Sequence, residues 1–99
     1  MPLTTAKNWK LTTYTNATWT NIVNEVATLA TVIIANTDAG AARNVSIRLS
    51  GGLVIVPTTS IAAGAVFTLD VRSLNIVTGE SLQANISAAG VNILASGAI

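Results

Sequence analysis

Val45-Ser46-Ile47-Arg48-Leu49-Ser50 sets apolar and polar side chains on alternate residues. Successive side chains of a β-strand point to opposite faces, so this stretch predicts a half-buried strand with Val45, Ile47 and Leu49 inward. The same period recurs in both directions along the chain. Ser81-Leu82-Gln83-Ala84-Asn85-Ile86-Ser87 turns Leu82, Ala84 and Ile86 inward, and Val66-Phe67-Thr68-Leu69-Asp70-Val71 does so with Phe67, Leu69 and Val71. Residues 8–15 alternate around Trp9 and Leu11, and residues 91–96 supply a last strand. Residues 28–35 are apolar on both faces, as in a central or interface-covered strand. Residues 21–29 admit two drawings. One is a short amphipathic helix with Ile22, Val26 and Leu29 on one side; the other is a strand, which the flanking threonines favour.

Turn-like segments separate these runs: Asn16-Ala17-Thr18, Asn36-Thr37-Asp38-Ala39-Gly40, Gly51-Gly52, Ala62-Ala63-Gly64, Thr78-Gly79 and Ala88-Ala89-Gly90. Glycine supplies positive φ at no steric cost, and Asn and Asp tolerate it. Ala-Ala-Gly occurs twice, each time just before a strand, which reads as one turn solution used twice. Short strands at such spacing predict an all-β fold: a β-sandwich, Ig-like or jelly-roll-like, of about seven to eight antiparallel strands. Residues 1–99 form one domain on this reading, with residues 1–7 as an extended N-terminal arm. The expected core is Leu29, Ile33, Val45, Ile47, Leu49, Phe67, Leu69, Leu82, Ile86 and Ile93.

Composition narrows function. The 99 residues include no histidine, no cysteine and four carboxylates, with 51% hydrophobic and 9% charged residues. Mean hydropathy is +0.61. Thiolate and imidazole metal sites, disulfides and redox chemistry are thereby removed, so no cofactor is expected. A net charge of +1 with scattered basic residues lacks the clustered basic face that nucleic acid requires. No stretch approaches the roughly 20 apolar residues of a membrane helix. The start lacks the basic-then-apolar order of a signal peptide, so synthesis in a cytoplasm is expected. Low charge with high hydropathy suggests a surface covered by other protein.

Candidate chemistry is sparse. Asp70 and Arg72 could make an intermolecular salt bridge or a weak acid site, but read more simply as an exposed pair of little energetic weight. Any two of Glu25, Asp38, Asp70 and Glu80 could supply a carboxylate pair, but two of the four lie in turn-like positions, which argues against catalysis. Gly51-Gly52 and Gly79 match no phosphate-binding loop. Trp9, Tyr14 and Trp19 crowd the first fifth of the chain. They read either as partner anchors, since such residues are enriched at hot spots, or as core; a stacking platform for sugars is a weaker form of the first. The uncharged stretch from residue 91 to 99, with Val91, Ile93 and Ile99, reads as a buried last strand or as one exchanged with a neighbouring subunit.

The second half also carries a resemblance. Val56-Pro57, Ile61-Ala62-Ala63-Gly64, Phe67-Thr68-Leu69-Asp70, Gly79-Glu80-Ser81-Leu82 and Ser87-Ala88-Ala89-Gly90-Val91-Asn92, preceded by Asn36-Thr37, resemble a family of small structural proteins of tailed-bacteriophage virions. The resemblance spans roughly residues 28–97 and leaves out the Trp-rich start. It implies an Ig-like sandwich on a capsid, neck, tail or fibre, with no catalytic residue. The expectation is a virion protein made in the host bacterial cytoplasm, most concretely a capsid decoration protein clamping coat subunits. Its partners would be the major capsid protein or other virion proteins and further copies of itself, without nucleic acid or membrane. A neck, tail or fibre adaptor, or a carbohydrate-binding module, are the alternatives.

Overall fold

The computed structural model describes residues 5–12 and 18–99. Eight strands follow one another: β1 (Ala6–Leu11), β2 (Thr20–Val23), β3 (Ala27–Asn36), β4 (Arg43–Leu49), β5 (Leu53–Ile61), β6 (Val66–Ile76), β7 (Leu82–Ile86) and β8 (Val91–Ala98). They build two antiparallel four-stranded sheets, β1-β8-β3-β6 and β2-β7-β4-β5. Every connection except the β4–β5 hairpin crosses from one sheet to the other. That is the order of a jelly roll; an Ig sandwich would keep its first two strands in one sheet. The strand order thus decides between the two expected sandwiches.

The alternating runs explain the core. Val45, Ile47 and Leu49 of β4 meet Leu82, Ala84 and Ile86 of β7 in one sheet, against Leu29, Val32 and Ile34 of β3 and Val91, Ile93 and Ala95 of β8 in the other. The 21–29 region is strand rather than helix, broken at residues 24–26 into β2 and the start of β3.

Three expected core positions differ. Ile33 lies on the outer face, because the β3 ladder shifts between Leu29 and Thr31 on both of its sides. One unpaired residue reverses the phase of all that follow, so Val32 and Ile34 go inward and Ile33 outward. Phe67 and Leu69 do face inward, paired with Ile34 and Val32. They are only half-buried, because β6 is an edge strand with no neighbour on its far side. β5 was not among the expected strands. Pro57 and two ladder shifts break its alternation, so the periodic signal is lost although the strand is present. Residues 5–7 are not free of the sandwich: Thr5 exchanges both backbone hydrogen bonds with Ile99, and Ala6 and Lys7 belong to β1.

Candidate interaction surface

One end of the sandwich is tied together by residues 36–43 and the two Ala-Ala-Gly turns. The buried Asn36 shares its Nδ2 hydrogens among the carbonyls of Ala41 (2.9 Å), Ile61 (2.9 Å) and Ala62 (3.2 Å). Its Oδ1 accepts the Asp38 N–H at 3.0 Å. Asp38 Oδ1 accepts the N–H groups of Gly40 and Ala41 at 2.8 and 2.9 Å, and Oδ2 accepts Arg43 Nη2 at 2.8 Å. Those two backbone donors, and then the Arg43 charge, hold the Asp38 carboxyl below its ordinary pKa. Both Ala-Ala-Gly turns close on this segment: Gly64 N–H donates to Asp38 O, and Thr37 N–H and Oγ1 both donate to Gly90 O. The recurring motif is therefore a device for joining turns.

The aromatic residues separate. Trp9 is core. Its Nε1 donates to Glu25 Oε2 at 2.8 Å, and Lys7 Nζ donates to the same oxygen while lying 5.5 Å from the ring centroid. The Lys7 bond and then the Trp9 bond lower the Glu25 pKa. This latch pins edge strand β1 to the β2–β3 turn and leaves Trp9 only 8% exposed. Tyr14 lies outside the described residues. Trp19 is half-buried on the outer face of the β2-β7-β4-β5 sheet, with the Arg48 guanidinium 4.2 Å from its ring centroid. Arg48 Nε donates to Gln83 Oε1 and Gln83 Nε2 to Asn21 Oδ1, both at 2.9 Å, which makes a polar row across that face.

Val91 and Ile93 are buried core residues. β8 lies between β1 and β3 with its backbone paired on both sides. It cannot join a neighbour's sheet without leaving its own, and the assignment of Val91 and Ile93 as contact residues is corrected accordingly. Ile99 is half-buried beside Thr5.

The true edges carry protection against strand addition. β1 has Lys7 and Lys10, and β2 has four residues. β5 has Pro57 and two ladder irregularities. β6 has Asp70, Arg72 and a bulge in which Arg72 and Ser73 take φ of 40° and 72°.

Among the described residues, what remains open is the outer face of the β1-β8-β3-β6 sheet. Three rows cross it: Asn8, Ser96, Thr31 and Asp70; then Lys10, Leu94, Ile33 and Thr68; then Asn92, Ala35 and Val66. Its two central strands present no charged side chain outward, and Val66 is 60% exposed. A shallow depression of about 260 Å3 lies among Lys10, Thr12, Ile33, Ala35, Asn92 and Leu94. A solvated outer face normally alternates to polar residues; Asn21, Gln83 and Arg48 do so on the opposite sheet, where, among the described residues, only its edge strand β5 exposes apolar residues, Leu53 and Val54. The doubly apolar pattern of residues 28–35 was the signal for this face, and the β3 bulge hid which residues form it.

No family model matches this chain, and no curated protein matches it. Among solved structures, dimeric latent PorU from Porphyromonas gingivalis is similar over 97% of this chain and 10% of that one, at 22% identity and a TM-score of 0.38. The chain thus spans one tenth of that protein's length, and a likeness of this degree carries no functional argument. Among the described residues no cluster of three or more metal-ligating side chains occurs.

Proposed function

We propose that this chain is a structural subunit of a bacteriophage virion, a capsid decoration protein that acts through contact and without catalysis. The observation that carries the contact reading is the uncharged outer face of β8 and β3, where Leu94, Ile33 and Ala35 stand in place of a solvated polar row. The resemblance of residues 28–97 to small virion proteins supplies the virion. A subunit that binds only the assembled shell shifts assembly towards it by mass action, so many modest contacts reinforce one particle. Quantitative mass spectrometry of purified particles tests this. Hundreds of copies per particle are expected; a dozen or fewer would move the chain to the neck, tail or fibre, and absence would end the reading.

A second reading, glycan binding, rests on the row of Trp19, Arg48, Gln83 and Asn21. Stacking and planar hydrogen bonding would be its means. Titration of the isolated protein with a glycan panel tests it: saturable binding lost in Trp19→Ala supports it, and no binding removes it.

A further inference from the structure

We propose that the outer face of the β1-β8-β3-β6 sheet is occupied by a second copy of this chain, stacked face to face about a two-fold axis that runs along the strands. The proposal rests on the reading above that this face is covered by protein; it names the cover as a second copy and leaves the coat contact to the outside of the resulting dimer. The argument begins with where charge is placed. The outward positions of β8 and β3 are Asn92, Leu94, Ser96 and Ala98, and Thr28, Thr31, Ile33 and Ala35, all uncharged and mostly small. Among the described residues, charge appears on this face only at the margins and with opposite sign. Lys10 lies on edge β1, in the Leu94–Ile33 row, and Asp70 lies on the opposite edge β6, one row away. Both are exposed.

A two-fold axis along the strands lays β1 of one copy over β6 of the other. Each Lys10 then faces the partner's β6 margin and reaches across one row, about 7 Å along a strand, to Asp70. Symmetry supplies the contact twice. An in-plane axis perpendicular to the strands would instead lay β1 on β1 and set lysine against lysine. Charge therefore selects the first stacking. Asp70 is available: its intramolecular partner Arg72 is 3.2 Å away with both side chains largely exposed, a pairing of little weight that a second cation can join. Small residues along β8 and β3 permit close approach of the two sheets, with Leu94 and Ile33 as the filling of the central row. The face measures about 20 by 30 Å from strand number and rise. Its roughly 600 Å2 footprint falls below the about 800 Å2 per partner of a standard interface, which places it in the size class of weak, reversible contacts.

The test needs no particle: analytical ultracentrifugation of the whole chain from about 1 to 500 μM, with circular dichroism as a check on folding. The expected result is a monomer–dimer equilibrium. Leu94→Lys should weaken it at least a hundredfold. Lys10→Glu and Asp70→Lys should each weaken it about tenfold, and the double variant should recover most of the loss, because the reversed charges again face one another. A wild-type monomer throughout, a trimer or larger ring, indifference to Leu94→Lys, or a double variant no better than the singles would each overturn the proposal. A monomer that is nonetheless abundant in particles would overturn this inference alone and leave the virion reading standing.

Discussion

A Cβ at Gly97 would stand 2.1 Å from the Thr28 carbonyl oxygen and 2.9 Å from Leu29 Cα. The β3 bulge brings backbone that close, and backbone cannot swing aside as a side-chain tip does. Gly97→Ala should therefore cost at least the about 1–3 kcal/mol typical of overpacked sites, measured by urea unfolding. Gly40→Ala is the control, since its nearest obstacle is at 3.8 Å and its φ is ordinary. Two carboxylates set the response to acid. Hydrogen bonds from Lys7 and Trp9 lower the Glu25 pKa, and those from Gly40 and Ala41 lower that of Asp38. The unfolded chain then binds more protons than the folded one between the two pKa values, and stability rises with pH there. Their contribution is complete above the unfolded carboxyl range, about 4, and is lost as pH falls through the lower folded values. Thermal melts of wild type should decline below about pH 4, and the Glu25→Gln, Asp38→Asn double variant should decline less steeply.

At the scale of the strand, position within the sheet decides what a side chain contributes. Ile34 and Phe67 face one another across the β3–β6 ladder, yet Ile34 is fully buried and Phe67 half-buried. Ile34→Ala should cost about 2–5 kcal/mol, whereas Phe67→Ala should fall short of the about 3–5 kcal/mol of a fully buried aromatic. Chemical denaturation of both variants compares them. A Phe67→Ala cost at or above the upper figure would mean that the β6 edge is covered in solution. Alternation identified β4, β7 and β8 because each keeps its phase on the inward side, and β6 over residues 66–71, ahead of its bulge at Arg72 and Ser73. It missed β5, where Pro57 and two irregularities interrupt the period, and it misplaced Ile33, where one extra residue reverses the phase. The aromatic triplet was ambiguous for a different reason. Trp9 is core because Glu25, sixteen residues away, receives its N–H, and no local pattern encodes that meeting.

For the molecule as a whole, sheet order predicts a hierarchy of protection. β8 and β3 are central in one sheet, and β7 and β4 in the other. Amide exchange should be slowest in these four strands and faster in β5 and β6, whose outer backbone groups meet solvent; uniform protection would contradict that order. The amino-acid sequence by itself determined the all-β class, most strand positions, the glycine turns and the lack of imidazole and thiol chemistry. These are matters of side-chain period, backbone permissiveness and composition, each readable within a few residues. The tertiary structure alone decided the jelly-roll order over the Ig order, the burial of β8 between two partners, and the pairing of Lys7 and Trp9 with Glu25. It also decided which face of β3 is left uncovered. Each depends on which distant strands pair and in what register, and register is set by the joint burial of all eight strands rather than by any one of them.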